Sequence, residues 1–485
     1  MDAPFGADLS ALFLPLVLSQ PLSLMPSFLF KAQTHRGTAE KSKTSIGILL
    51  SGFCKNIRFP QKLQTSYIAD YRNHLYLLTI LCYNEVKSFQ TKETFLVRLN
   101  NRVALCACDR YDEAHIADIL RTQMDTFGYD QAFFAGKKVV IKPNLVMKKA
   151  PDAAATTHPT VLSALLTVLA ERDCKPLIAE SPGGLFNRQR LEGVYRACGI
   201  APVAEAHGVA LNYDTDAVNA SYPEGKTVKM FHILKPIAEA DVLIDLCKLK
   251  SHSLTKMSAA VKNFFGTIPG VEKFEMHATF PDYKDFGSMI CDLCEMYCRT
   301  KEVIAITDAI VGMEGNGPTA GDPRKIGALL MSPNPFASDV VGETILGFAG
   351  TVPIVREGVS RGNAPESIEG IELIGDDIKP LLITDFKEPD TASNRAPSAL
   401  TVLSRGKLGR FFMPRPVAMP EKCRGCGECV ASCPRHTIEL KEKNGKKIAN
   451  IRHSNCIRCY CCQELCPFEA IRVKKNLIIR IVGSI

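Results

Sequence analysis

Three observations predict an α/β fold: a mainly parallel sheet domain with flanking helices, followed by a small, cysteine-rich α+β domain. Strand-like and helix-like segments alternate across about residues 101–385, the order that a largely parallel sheet produces. Two of the strand segments, "DVLIDLCKLK" (241–250) and "EVIAITDAIVG" (302–312), are near-continuous apolar runs, as strands covered on both faces must be. Nine of the 19 cysteines crowd into residues 423–466.

Residues 1–100 read as an atypical N-terminal extension, disordered or preceding the true start, because apolar patches and polar stretches such as "KAQTHRGTAEKSKTS" follow no helix or strand period. The apolar stretch Ser10–Phe30 has no basic residue before Lys31 and carries Pro15, Pro21 and Pro26. Neither an export signal nor a spanning helix is expected of it.

Clear patterning starts with the strand "RVALCAC" (102–108) and the helix-like "DEAHIADILRTQM". "KKVVIKPNL" (137–145) is a strand and "HPTVLSALLTVLAER" (158–172) a helix, with His158 placed to cap it ahead of Pro159. "KPLIAES" (175–181) is a strand, and "NRQRLEGVYRACG" a helix ended by Gly199. Ser253 is expected to cap a helix within "SHSLTKMSAAVKNFFGTIPG" (251–270) that Gly266 closes. Five prolines between 389 and 420 mark residues 386–417 as a linker.

The tail carries the sharpest signal. Cys423-x2-Cys426-x2-Cys429-x3-Cys433-Pro434 recurs, shifted by 33 positions, as Cys456-x2-Cys459-x2-Cys462-x3-Cys466-Pro467. This is an internal duplication. Three thiolates spaced by two residues wrap one 4Fe-4S cubane, and the cysteine before proline crosses to the other. The implied ligand sets are Cys423, Cys426, Cys429 and Cys466 for one cluster, and Cys456, Cys459, Cys462 and Cys433 for the second. Zinc modules bring their ligands as separated pairs, which this spacing does not. Cys461 falls outside the frame and is expected to pack against a cluster. Between the repeats, Asn444-Gly445 signals a hairpin turn. Thiolates that ligate iron need reducing surroundings, so the chain is expected to be cytoplasmic.

Net charge is +8 over 485 residues with no long basic run, which argues against nucleic acid as a partner. Residues 421–475 hold twelve Lys/Arg against six Asp/Glu, a net +6. Such a module is suited to tethering or to an acidic partner surface.

In the α/β domain, ligands are expected beyond the carboxyl ends of the strands. "KPNL", "ESPGG", "KLKSH" and "TDAIVGMEGNGPTAGDP" stand there. An anion site is expected from Lys142, Asn144, Gly183, Gly315 and Gly317. Lys248, Lys250, His252, Lys262, Asn263, Asp308 and Glu314 are the catalytic candidates, with Asp322 a further acid, base or cation ligand. Gly315-x-Gly317 lacks the third glycine of a dinucleotide fingerprint. Cys291, Cys294 and Cys298 share one helix face, where burial explains them better than a metal does.

Together "KPNL", "THP", "ESPGG", "KLKSH", "MSAAVKNFFGTIPG" and "MEGNGPTAG" resemble the domain of unknown function 362 family over about residues 102–470, and residues 418–475 resemble a bacterial-type dicluster ferredoxin module. The resemblance implies this two-domain architecture and two 4Fe-4S clusters, but no substrate. Three functions stay open. One is an iron–sulfur oxidoreductase acting on an anionic small molecule. Another is an electron carrier that docks a redox partner protein. The third is a non-redox enzyme braced by its clusters.

Overall fold

The computed structural model describes residues 100–391 and 414–474. All but the last residue of the expected extension, and 392–413 of the expected linker, lie outside them. The main sheet contains β1 (Arg102–Ala107), β2 (Val139–Pro143), β3 (Leu177–Ile178), β4 (Ala210–Leu211), β7 (Val242–His252), β9 (Glu302–Glu314), β10 (Asp322–Ser332) and β11 (Glu372–Gly375). Their spatial order is β11-β1-β10-β9-β7-β2-β3-β4. β9, β7, β2, β3 and β4 run parallel, as does the β1–β11 pair. β10 is antiparallel to both of its neighbours, β1 and β9. β5 (Ala217–Ser221) and β6 (Met230–Leu234) form a separate antiparallel pair.

The apolar runs have the cause expected of them. Successive side chains of a strand face opposite sides. Along β7, Val242, Ile244 and Leu246 enter the core that also holds α1 (Glu113–Phe127), α2 (Pro159–Ala170), α3 (Arg188–Ala197) and α4 (Ile200–Ala206). Leu243, Cys247 and Leu249 enter the opposite core, under α6 (Tyr283–Thr300), α7 (Pro335–Ile345) and α8 (Pro353–Ser360). Every residue of β7 is buried. The same alternation puts Lys248 and Lys250 on the first face, and Asp245 on the second.

Several local signals act as written. His158 Nδ1 accepts from the Thr160 amide at 3.2 Å and caps α2, with Pro159 in the first turn. Gly199, at φ 74°, ends the turn after α3 in the left-handed region where a side chain would be strained. Cys291, Cys294 and Cys298 lie buried on α6, within the core.

Two expectations need correction. Ser253 caps no helix: residues 253–255 form a turn and Lys256–Ser258 returns as β8, antiparallel to Lys250–His252. Helix begins only at α5 (Ala260–Asn263), where Asp339 of α7 supplies the cap by accepting from the Ala260 and Val261 amides at 2.7 and 3.2 Å. Gly266 lies in the 3-10 turn that follows and does not close a longer helix. The strand expected over 302–312 is present and runs on to Glu314 in a long hairpin with β10, so Asp308 sits inside it.

The cysteine module pairs β12 (Arg415–Ala418) with β15 (Ile471–Lys474), and β13 (Ile438–Lys443) with β14 (Lys446–Ile451). Asn444 and Gly445, at φ 52° and 70°, make the expected turn. The duplication is visible in the backbone. Left-handed residues recur 33 positions apart at Gly425 and Arg458, Gly427 and Tyr460, and His436 and Glu469.

Candidate functional site

Two cavities in the module are each lined by four cysteines. One, with about 320 Å³ of space free of protein atoms, is bounded by Cys423, Cys426, Cys429 and Cys466, with Phe468 and Ile471. The other, about 330 Å³, is bounded by Cys433, Cys456, Cys459 and Cys462, with Ile438 and Tyr460. These are the two ligand sets that the crossed spacing predicts. Left-handed turns within each repeat let three sulfurs face one volume. All of these thiols are unbridged. Among the described residues no three His, Cys, Asp or Glu side chains converge as one ion would require. The cysteines instead stand around a volume, and an iron–sulfur cluster fits that donor set where a single zinc does not.

Cys461 lines neither cavity. It is buried at the seam with the α/β domain, in a cluster of Met147, Phe274, Cys459 and Leu465. Its small side chain packs beside Cys459, which lines the second cavity, and serves the domain contact as well. At the same seam a Cβ on Gly183 would stand 2.7 Å from Leu465 Cδ2. Polar contacts surround this apolar centre. Ser253 Oγ donates to Gln463 Oε1 at 3.1 Å, and Gln463 Nε2 donates to the Asn316 carbonyl at 3.2 Å. Thr319 Oγ1 donates to the Glu464 carbonyl at 2.7 Å. Lys149 pairs with Glu469 at 2.7 Å at the edge.

Beneath the seam lie the polar residues at the carboxyl end of the sheet. Lys142 Nζ donates to Glu180 Oε2 at 2.7 Å and to Asn263 Oδ1 at 3.0 Å, with both members of the ion pair buried. Asn263 Nδ2 donates to Asp245 Oδ1 at 2.6 Å. Burial raises the Asp245 carboxyl well above its ordinary range, against the nearby Lys142 charge. Asn144 joins the two faces of the sheet: its Nδ2 donates to Asn263 Oδ1 at 2.8 Å, and its Oδ1 accepts from Lys250 Nζ at 2.7 Å.

Lys250 Nζ also donates to the Ala155 carbonyl, so both acceptors are neutral. Burial, reinforced by the charges of Lys262 and Lys248, pushes this amine down to about 7. His252 Nδ1 accepts from the Leu254 and Thr255 amides, which leaves the ring proton on Nε2. That nitrogen lies 3.5 Å from Glu464 Oε1, an oxygen with no hydrogen-bond partner. Burial raises the Glu464 carboxyl to about 7, with Lys262 and Lys250 opposing. Lys262 Nζ makes no hydrogen bond or ion pair among the described residues, and stands 5.2 Å from the centre of the Phe265 ring. Burial lowers it, with Glu464 and Cys461 acting in the other direction.

The catalytic candidates thus separate into groups. His252 faces Glu464, the charges of Lys250 and Lys262 bear on the same carboxyl, and Asn263 belongs to the Lys142 network. Lys248 is elsewhere engaged: its Nζ pairs with Asp308 Oδ2 at 2.8 Å and donates to the Tyr111 hydroxyl at 2.7 Å, both charges fully buried. Asp308 also accepts from the His158 amide at 3.0 Å. Glu314 is held by Lys387 at 3.0 Å, and Asp322 stands opposite Glu314 in the hairpin, 3.9 Å from the same Lys387.

The anion cradle expected from the glycine loops is not formed. The Gly183 amide donates to the Val146 carbonyl, that of Gly315 to Lys387, and that of Gly317 to Gly315. With their donors engaged, Gly183 and Gly317 act by close approach, a Cβ on Gly317 running into the Ser251 carbonyl, while Gly315 supplies a left-handed φ of 75°. Sequence reading overlooked Tyr111, Asp245, Glu180, Gln463 and Glu464 as partners. Gln463 and Glu464 could have been found, because two long polar side chains inside a cysteine knot need partners outside it.

Residues 139–344 match the family model described as Domain of unknown function (DUF362), and residues 422–470 match the 4Fe-4S dicluster domain. A thylakoid-associated protein of Synechocystis sp. is 31% identical over 276 residues, which make up 55% of this chain and 81% of that protein. The chain belongs to the DUF362 family. It is an iron–sulfur member, because its tail carries the cluster-binding module. That tail is 37% identical over 57 residues to a ferredoxin of Methanothermococcus thermolithotrophicus, 11% of this chain and 90% of the ferredoxin. It is also 40% identical over 58 residues to a DNA-directed RNA polymerase subunit of Methanosarcina acetivorans, though over only 21% of that subunit. In this DUF362 protein no helix among the described residues is long and apolar enough to cross a membrane.

Proposed function

We propose that this DUF362 protein is an oxidoreductase that holds two 4Fe-4S clusters and acts on a small anionic substrate at the Lys250–His252–Lys262 site. Clusters bound by Cys423, Cys426, Cys429 and Cys466, and by Cys433, Cys456, Cys459 and Cys462, would supply single-electron transfer. The observation that carries the reading is the seat of the cysteine segment. Gln463 and Glu464, directly after Cys462, meet Ser253, Asn316, Thr319 and His252 at the carboxyl end of the sheet. A carrier with no chemistry of its own has no reason to bring a cluster ligand onto buried lysine and histidine side chains.

The residues have separable tasks. Lys262, without a hydrogen-bonded partner, is free to meet an anionic group. Lys250 near neutrality can give or take a proton at Nζ. His252 offers Nε2–H, and Asn144 holds Lys250 in register with the Lys142–Glu180 pair. Lys250 and His252 are buried, with Lys262 half-buried, which keeps water from Lys250 Nζ and the His252 ring.

The test uses full-length protein, purified anaerobically and reduced with dithionite. Small anions with a reducible group, such as 2-oxo and α,β-unsaturated carboxylates, are offered as oxidants, each taking two electrons and two protons, and bleached absorbance is followed as it returns. The reading expects at least one such compound to reoxidise the wild type and to fail with Lys250→Ala and His252→Ala, both of which dithionite still bleaches. If no compound does so, or if both variants keep full turnover, the carrier reading replaces this one.

A further inference from the structure

We infer that the face of the module around Cys426 and Phe468 docks an acidic one-electron carrier protein; the inference rests on the redox reading above and names its partner. The two cavities differ in access. Among the eight cysteines that line them, Cys426 is the exposed one, and it bounds the first cavity. Phe468 bounds that cavity too and is 43% exposed, a large apolar side chain facing water. The second cavity keeps Cys459 and Cys462 buried, and Cys459 packs at the seam with the α/β domain.

Positive charge outnumbers negative on the accessible face. Lys422, Arg424 and Lys447 are exposed, and their side chains have no ion-pair or hydrogen-bond partner among the described residues. Lys447 lies against Gly425, which bounds the cavity. The acids nearby are mostly answered from the α/β domain: Glu469 by Lys149 at 2.7 Å and Glu428 by Arg190 at 3.9 Å. Two exposed acids remain, Glu421 and Glu442, the latter directly across the hairpin from Lys447. An apolar centre ringed by unpaired cations beside an exposed cluster thiol fits a partner with a carboxylate-rimmed redox centre. The step is one electron out of the reduced carrier and one into the oxidised module, with no bond made or broken.

A flavodoxin serves as the acidic probe and cytochrome c as the basic control. Binding of oxidised flavodoxin to the full-length, cluster-loaded protein is measured by titration calorimetry, and reduction is followed separately by stopped flow. Affinity should weaken steeply between about 0.01 and 1 M salt, as the Debye length falls from about 30 to 3 Å. Lys422→Glu with Lys447→Glu should weaken binding and slow reduction by roughly tenfold or more, while the dithionite reaction stays at the wild-type rate. Carbodiimide should cross-link flavodoxin to Lys422 or Lys447. Salt-independent binding by the wild type, equal binding of cytochrome c, or preference for a DNA duplex would overturn the inference, and none of these depends on the variant folding. A protein that dithionite does not bleach would sink the redox reading itself, and this surface with it.

Discussion

Leu465 of the cysteine module occupies the space that a side chain at Gly183 of the α/β domain would need, with Cδ2 only 2.7 Å from where that Cβ would stand. Gly183→Val should therefore loosen the seat without touching either core. Overpacking of this kind costs about 1–3 kcal/mol. Hydrogen exchange of residues 457–470 should accelerate, while amides of β7 and β9 keep their protection.

Lys248 and Asp308 form a fully buried ion pair within the sheet. Lys248→Ala leaves Asp308 buried with no cation, only Tyr111 and the His158 and Ile310 amides, and should cost about 3–5 kcal/mol. The paired change Lys248→Met with Asp308→Leu should cost much less, since no charge is then stranded. Denaturant unfolding of the two variants measures the difference. Equal losses would show that the site responds to volume and not to charge.

Lys250 gives the fold a pH signature. Its folded pKa is lowered to about 7, against about 10.4 in an unfolded chain. The unfolded state therefore binds the extra proton between these values, and stability rises with pH across that window. Lys250→Met should remove this rise, up to about 4 kcal/mol. Denaturation of both proteins at pH 6 to 10 checks it, and the comparison cancels the parallel contribution of Lys273, which burial also lowers to about 7.

Cys461 and Cys429 separate packing from ligation. Cys461→Ala should leave the iron content unchanged and weaken only the seam at Met147 and Phe274. Cys429→Ala should lose about half the iron, because one set of four is broken. Iron assay of both variants decides it, and loss of iron from Cys461→Ala would make that thiol a ligand after all.

Legibility followed how local the physics was. The cysteine sets could be read because ligand spacing along a short chain fixes which sulfurs share a volume, and both cavities carry those sets. β7 and β9 could be read because burial on both faces leaves a continuous apolar run. The sequence could not show that Lys248 is neutralised by Asp308, since that pairing depends on β7 lying parallel to β9 in a register that brings 248 opposite 308. Nor could it show that the glycine amides are already engaged, which depends on contacts such as Gly315 with Lys387, 72 positions apart. The Ser253 helix misled because "SHSLTKMSAAVKNFF" has cap and period. The chain satisfies its backbone instead by turning back as β8, and Asp339 supplies the cap from a distant helix.

The most direct measurement is the iron and acid-labile sulfide content of anaerobically purified full-length protein. Two cubanes held by crossed cysteine sets predict about eight irons and eight sulfides per chain. Four or fewer irons per chain, or zinc in their place, would contradict the account.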